Sequence, residues 1–442
     1  MMNRSIARLG ALAGGVMLAA ALSACDLGKA LNVEPADRIP AVDLENPANA
    51  VLLVAGAAAD FDCAFNSYVA VGALITQEFV DALQTADRWP YNQRTVTPAN
   101  ARYSQQGCTA LGIYAPLQQS RVSANNARRL LEGWTDVEVP GRSLLIARSA
   151  VYEGWSQLLM GESFKETTFS HVDGENVVWG AKITRKEALD SAVTTLTQAI
   201  TTASAVGGTA ADSVRYFALV GRARAYHDLA YIASPTSPDL TLARADAAAV
   251  PAAFVWNVTT STTATRRNNR VFQESNTTVT QQNASVGPYY RTLNDPRVPV
   301  QNMNRLSNGT SVPQWAQRKY TAVNSPIPAA TATEMQLLIA EADRVSNRAN
   351  TLAIIAAFRT AGGQGAYAGT TAAQDLAEIQ DQRRRALWLT GTYLGDVIRY
   401  DITLSPAAGT TTPWGQQYGP AEGHNQLLPL PDVEIQNNPL LH

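Results

Sequence analysis

Histidine and cysteine are scarce in this 442-residue chain: His171, His227, His424 and His442, and Cys25, Cys63 and Cys108. So few soft ligands argue against a zinc or iron–sulfur site, and no metal or other cofactor is expected. Charge is sparse as well. Charged residues make up 16% of the chain, and 35 Lys+Arg against 37 Asp+Glu leave a net charge of −2. The basic surplus that nucleic-acid binding requires is missing, so no nucleic-acid partner is expected. Past the N-terminus no run of 18 uninterrupted apolar residues occurs, and no further segment is expected to cross a membrane. The usual catalytic signatures are absent too: no Gly-x-Ser-x-Gly elbow, phosphate loop or His-Glu-x-x-His. The acid pairs Asp60/Asp62 and Glu78/Asp81 offer the two carboxylates of a glycoside hydrolase, but 37 acids produce such pairs anywhere. Glycoside hydrolase is the catalytic reading that these acids leave open.

What is present begins with a 46% apolar content, ample for one large domain or two to three small ones. Residues 1–24 read as a signal peptide: Arg4 and Arg8, an apolar stretch from Leu9 to Leu22, then Leu22-Ser23-Ala24-Cys25. The last four residues are the pattern of a lipoprotein signal, with cleavage before Cys25 and acyl chains attached to it. An ordinary secretory signal is the alternative. Export leaves Cys63 and Cys108 as the only remaining pair in an oxidising compartment, and they read as a disulfide. Two buried free thiols are the alternative there.

Residues 25–45 read as an extended tether broken by Pro35 and Pro40. Helical periodicity then dominates. Apolar and small residues recur at three- and four-residue steps through Gly112–Trp134, Leu144–Leu158, Leu189–Ile200 and Val214–Leu229. Pro140-Gly141 and Gly207-Gly208 separate these segments into antiparallel hairpins. The pattern changes near Pro235. From Pro251 to Pro328 the chain is rich in Thr, Asn, Gln and Pro, with β-prone runs at Phe254–Val258 and Arg270–Gln273. Helices are predicted again at Met335–Val345, Leu352–Arg359 and Ala372–Leu394, followed by an aperiodic C-terminal segment.

Arg383-Arg384-Arg385 is the nearest approach to a basic patch, but three consecutive helical residues point in different directions. They read as structural, some paired with acids and some solvated. The aromatics say more about ligands. Asp87-Arg88-Trp89-Pro90-Tyr91-Asn92 sets two rings and an amide in a Pro-containing loop, the chemistry that stacks a sugar face and bonds its hydroxyls. Trp89 capping the core is the alternative, and Trp315 and Trp414 carry the same ambiguity.

With these residues in view, the sequence resembles the SusD/RagB family of nutrient-binding outer-membrane lipoproteins. Gln382-Arg383-Arg384-Arg385-Ala386-Leu387, Gly391 and Asp396-Val397-Ile398-Arg399-Tyr400 are similar to its Glu-Arg-Arg-Arg-Glu-Leu … Gly … Asp-Leu-Val-Arg-Trp segment. Leu428-Pro429-Leu430-Pro431, Glu434-Ile435 and Asn438-Pro439 resemble its closing motif. Glu334-Met335 with Ala340-Glu341-Ala342 and Phe358-Arg359 with Ala361-Gly362 resemble another stretch, Gln77-Glu78-Phe79 its early motif, and Asp295-Pro296-Arg297 its central one. Gln382, Thr390 and Thr392 depart from its usual Glu, Glu and His, which implies rewired charge pairing around that helix.

The resemblance implies an all-α dominated fold of tetratricopeptide-like helical hairpins with an irregular, partly β insert. It divides the mature chain into a scaffold at 46–234, an insert at 235–330 carrying part of the ligand surface, and C-terminal helices with an extended segment at 331–442. It also implies a lipid-anchored, surface-exposed outer-membrane protein that captures oligosaccharide or peptide and serves a TonB-dependent, SusC-like transporter. Trp89, Asn92, Tyr290 and Trp315 are the expected ligand-binding residues: Trp89-x-x-Asn92 resembles the aromatic–amide pair of starch-binding relatives, and Tyr290 and Trp315 flank the Asp-Pro-Arg motif.

Overall fold

The helix Ala50–Ile75 is apolar on every side, and each residue from Phe61 to Ile75 is buried. Its length and composition would suit a bilayer. Here the surrounding structure covers its second half, from Phe61 on, as expected of an all-round apolar segment at the centre of a large core, while Val51 and Leu52 near its start are exposed. Its polar residues are satisfied locally: Asn66 donates to the Asp62 carbonyl (2.9 Å) and Ser67 to the Gly112 carbonyl (2.6 Å). In this computed structural model the described residues are 44–442, apart from 84, 175, 234–236, 277, 279–281 and 308–310. Pro47–His442 forms one compact unit. Cys25, the signal segment and the tether as far as residue 43 lie outside the described residues.

One helical hairpin, Tyr114–Gly133 with Arg142–Ser163, packs along the central helix, and a second, Arg185–Val206 with Thr209–Ala233, packs on Arg142–Ser163. Thr184 and Glu187 close a reciprocal capping box at the start of the third of these helices. Small residues set the spacing between the hairpins. A Cβ on Gly154 or Gly161 would stand 2.7 or 2.8 Å from Cγ of Leu196 or Leu189, so the backbones meet only because no side chain intervenes. Ring stacking carries the core onward: Trp155 lies on Phe217 (centroids 4.8 Å) and Phe217 on Trp256 (4.5 Å). Trp256 sits in the strand Val255–Val258, so this stack ties the irregular region to the scaffold.

The strands of the described residues form five two-stranded antiparallel pairs rather than one sheet. Phe79–Asp81 pairs with Ala284–Val286, Val255–Val258 with Ile327–Thr331, and Val300–Leu306 with Pro313–Gln317. The remaining pairs, Glu166–Thr168 with Lys182–Thr184 and His171–Asp173 with Asn176–Val178, lie between two scaffold helices. Cys63 and Cys108 are joined in a disulfide with Cα atoms 5.7 Å apart.

Three sequence expectations need correction. The region after Pro235 opens with a helix, Pro238–Ala248, whose Ser237 cap and Pro238 start are ordinary helix-entry signals. Arg270–Gln273 is helical rather than extended, within Arg270–Glu274, because the Asn269 side chain accepts from Phe272 N–H and nucleates a turn. The helix expected over Ala372–Leu394 ends at Ala386 and restarts at Tyr393. Between them Leu389 and Gly391 take φ of 55° and 82°, and tertiary partners replace the helical bonds. Leu389 N–H donates to Glu78 Oε1 (2.8 Å), Tyr320 donates to the Leu389 carbonyl (2.9 Å), and Arg224 donates to the Gly391 carbonyl (3.1 Å).

Candidate functional site

Five distant pieces of chain line a cavity of about 500 Å³, one of them Ser311–Pro313 at the start of the strand Pro313–Gln317. Gln77 and Val80 come from the end of the central helix and the strand after it, and Tyr289 and Arg291 from the turn Pro288–Thr292. Arg384 comes from the helix Ala372–Ala386, and Ser405, Pro406, Thr411 and Tyr418 from the C-terminal segment. Gln77 has a left-handed φ of 62°, and its Nε2 donates to the Leu74 and Asn92 carbonyls (3.1 and 3.0 Å). Arg384 is held among rings, its Cζ 3.4 Å from the Tyr289 centroid, 4.9 Å from Tyr393 and 5.1 Å from Tyr290. Its Nε donates to Tyr290 Oη (3.1 Å). Behind the wall, burial pushes the Glu78 carboxyl up to about 7 against the Leu389 N–H, Lys319 and Arg384. Burial likewise draws Lys319 down to about 8, with Glu78 opposing.

The four residues singled out in the sequence divide. Asn92 is fully buried: Oδ1 accepts from Asp81 N–H (2.6 Å) and Nδ2 donates to Tyr418 Oη (3.2 Å). It therefore shapes the wall, and in this conformation it has no surface to offer a ligand. Tyr290 is also fully buried, stacked on Trp388 (5.6 Å), while its neighbour Tyr289 reaches the cavity. The alternation of the turn puts one ring of the Tyr289-Tyr290 pair inside and one at the surface. Trp89 is half-buried and is not in the cavity wall. Trp315 is half-buried against the main core, with Arg291 Cζ 5.9 Å from its ring. Trp414 packs on Val80, Ala82 and Val312, two of which line the cavity. None of Gln77, Tyr289, Arg291, Arg384 and Tyr418 was expected at the site: Gln77 and Arg384 were read only as parts of motifs. Only the doubled tyrosine beside the Asp-Pro-Arg stretch gave a local signal.

The arginine-rich segment has another task, and none of its three arginines is left to solvent alone. Arg383 grips Asp396 through Nη2 (2.8 Å), and Asp396 Oδ1 also accepts from Arg399 Nη1 (2.7 Å). Arg399 continues to Asp228 (3.1 Å) and Glu162 (3.4 Å), and Arg224 closes on Glu162 (2.7 Å). Arg385 pairs with Asp381 (2.6 Å). Glu341 accepts from Tyr231, Tyr400 and the His227 ring, and its carboxyl lies far below the ordinary range: these hydrogen bonds and His227 outweigh the burial that would raise it. The centre of the network, Arg224, Glu162, Asp228, Arg383, Asp396 and Arg399, is a buried layer that joins scaffold helices to the C-terminal ones. Gln382 stays neutral within it, accepting from Arg297 (3.0 Å) and donating to Gln364 and Glu378 (both 2.7 Å).

No family model matches the sequence, and neither does any curated protein. Solved structures do match. A SusD superfamily protein from Parabacteroides distasonis ATCC 8503 is 14% identical with a TM-score of 0.68, over 92% of this chain and 99% of that one. A SusD superfamily protein from Bacteroides thetaiotaomicron VPI-5482 is 13% identical with a TM-score of 0.66, over 89% and 98%. A SusD-like carbohydrate binding protein from Bacteroides vulgatus ATCC 8482 is 14% identical with a TM-score of 0.65, over 90% and 97%. The likeness extends over helical hairpins, irregular insert and C-terminal segment together, so this chain has the fold of the SusD superfamily.

Proposed function

We propose that this chain is a non-catalytic glycan-binding lipoprotein of the outer-membrane surface, anchored through Cys25, that passes oligosaccharide to a TonB-dependent, SusC-like transporter. The cavity wall carries the reading. It combines the Tyr289 and Tyr418 rings with guanidinium and hydroxyl groups from Arg291, Arg384, Ser311 and Thr411. Few polar groups set in a largely apolar concave wall are what an oligosaccharide needs: faces to stack on and donors to fix its hydroxyls. No Asp or Glu is among the described residues lining this cavity, so a hydrolysis run by paired carboxylates has no acid to use there. One structural relative is described as a carbohydrate binding protein, which supports a sugar over a peptide. The Leu22-Ser23-Ala24-Cys25 pattern supports the anchor and the outer-membrane placement.

The test uses the soluble chain that follows Cys25 on glycan and peptide arrays, then calorimetry on the hits. Oligosaccharide binding is expected, with Tyr418→Ala weakening it at least about tenfold, or ~1.4 kcal/mol. Binding of peptides alone would overturn the reading. For the anchor, Cys25→Ser in the full chain should abolish acyl labelling and membrane retention, and the wild-type protein should co-purify with a TonB-dependent transporter.

A further inference from the structure

Several buried guanidinium groups of this fold meet carboxylates: Arg88 with Asp81 and Glu274, Arg224 with Glu162, Arg383 with Asp396, Arg399 with Asp228. Arg121 and Arg270, also buried, instead donate to neutral oxygens, of Gln118 and Ser170 and of Gln273 and Thr265. The guanidinium groups of the cavity are of this second kind, and they face open space. Arg291 and Arg384 both line the cavity, and neither has a carboxylate within ion-pair distance among the described residues. Arg291 Nε donates to the Val286 carbonyl (2.8 Å) and Arg384 Nε to Tyr290 Oη (3.1 Å). The Nη groups of both side chains make no hydrogen bond among the described residues.

A third guanidinium stands behind the wall. Arg94 is buried, with its Cζ 5.0 Å from the Tyr418 ring and its Nη2 donating to the Pro406 carbonyl (2.6 Å). Its Nε and Nη1 have no hydrogen-bond partner, and Tyr418 and Pro406 both line the cavity. The acid that acts on Arg384 from within the fold, Glu78, is buried and accepts a hydrogen bond from Leu389 N–H. Two guanidinium groups thus face a concave space whose described lining residues include no Asp or Glu, and a third stands behind its wall.

Arg291 and Arg384 are half-buried, and a partly desolvated cation with no counter-charge beside it attracts an anion more strongly than one in bulk water. A guanidinium with free Nη groups presents a planar fork that matches a carboxylate or sulfate. We infer that the oligosaccharide this cavity takes is acidic, its carboxylate or sulfate group held between Arg291 and Arg384 while a neighbouring ring lies against Tyr289 or Tyr418. The inference rests on the glycan-binding reading above and narrows it to a class of sugar.

The test compares matched pairs of probes by calorimetry on the soluble chain. They are oligogalacturonate and alginate oligosaccharides beside their carboxyl-reduced forms, heparin fragments beside desulfated ones, and an acidic hexapeptide. At least one anionic glycan should bind at least about tenfold more tightly than its neutral counterpart, and the preference should shrink as salt is raised. Arg291→Gln should remove most of that preference and Arg291→Lys should keep part of it, both with unchanged melting temperature. Carboxylate and sulfate probes tell the two anion types apart. Equal binding of anionic and neutral glycans would overturn the inference while leaving the glycan reading intact. Binding of the hexapeptide and of no glycan would overturn both.

Discussion

Asn92 Nδ2 donates to Tyr418 Oη across 3.2 Å, although 326 residues separate them in the chain. The same amide accepts from Asp81 N–H, so one buried side chain holds a strand and a cavity ring in register. Asn92→Leu leaves that N–H and the tyrosine hydroxyl without partners. A stability loss of about 1–3 kcal/mol is expected in urea unfolding, with weaker ligand binding because Tyr418 loses its brace. An unchanged unfolding midpoint would show that the two bonds contribute nothing.

Trp89 separates packing from binding. It is half-buried, its indole N–H has no hydrogen-bond partner, and it is not in the cavity wall. Trp89→Ala should therefore lower the melting temperature while the folded protein keeps its ligand affinity within about twofold. The fully buried limit for such a truncation is about 3–5 kcal/mol, and half burial places Trp89 below it. A tenfold affinity loss with an unchanged melting temperature would instead put Trp89 on the ligand surface.

Glu78 gives stability a pH slope of defined sign. Burial raises its carboxyl from 4.5 to about 7, so the folded state holds that proton more firmly than the unfolded state. The stability this confers is complete below pH 4.5 and is lost as pH rises through about 7. Asp62, raised by burial from 3.8 to about 6, adds a slope of the same sign. Lys319 titrates above this window, near 8. Glu78→Gln should flatten the unfolding free energy between pH 4.5 and 7 and leave the variant relatively more stable at pH 8. Chemical denaturation across that range measures it, and an undiminished slope in the variant would assign the effect to other groups.

The disulfide between Cys63 and Cys108 closes a sequence separation of 45 residues. In the chain-entropy account a loop of that length stabilises by about 4 kcal/mol. Cys63→Ser/Cys108→Ser should lose a comparable amount, and the non-reduced protein should yield one cross-linked peptide by mass spectrometry. Both thiols alkylating without reductant would rule the bond out in the purified protein.

Helices were the most legible part of the sequence, because a helix reports its buried face locally every three to four residues. Tyr114–Gly133, Arg142–Ser163, Arg185–Val206 and Thr209–Ala233 lie where the apolar stripes placed them. The central helix Ala50–Ile75 gave no stripe, since its second half is buried on every side and its partly exposed first half is apolar as well, leaving no polar face to contrast with. The break after Ala386 was hidden for another reason. Residues 387–392 leave the helix because Glu78, Tyr320 and Arg224, remote in sequence, take its backbone bonds.

The sequence by itself determined the helical hairpins and a C-terminal segment rich in arginine, and it carries the Leu22-Ser23-Ala24-Cys25 pattern on which the proposed anchor rests. Each is written in adjacent residues or in short-period spacing. Tertiary structure alone decided which rings face the cavity. Tyr289 and Tyr290 are neighbours in sequence, yet one lines the cavity and the other is stacked on Trp388. It also decided which arginines are paired. Arg383 meets Asp396 while Arg384, the next residue, meets three tyrosine rings and no carboxylate. Burial and counter-charge depend on side chains brought in from hundreds of residues away, and neither composition nor periodicity records that encounter.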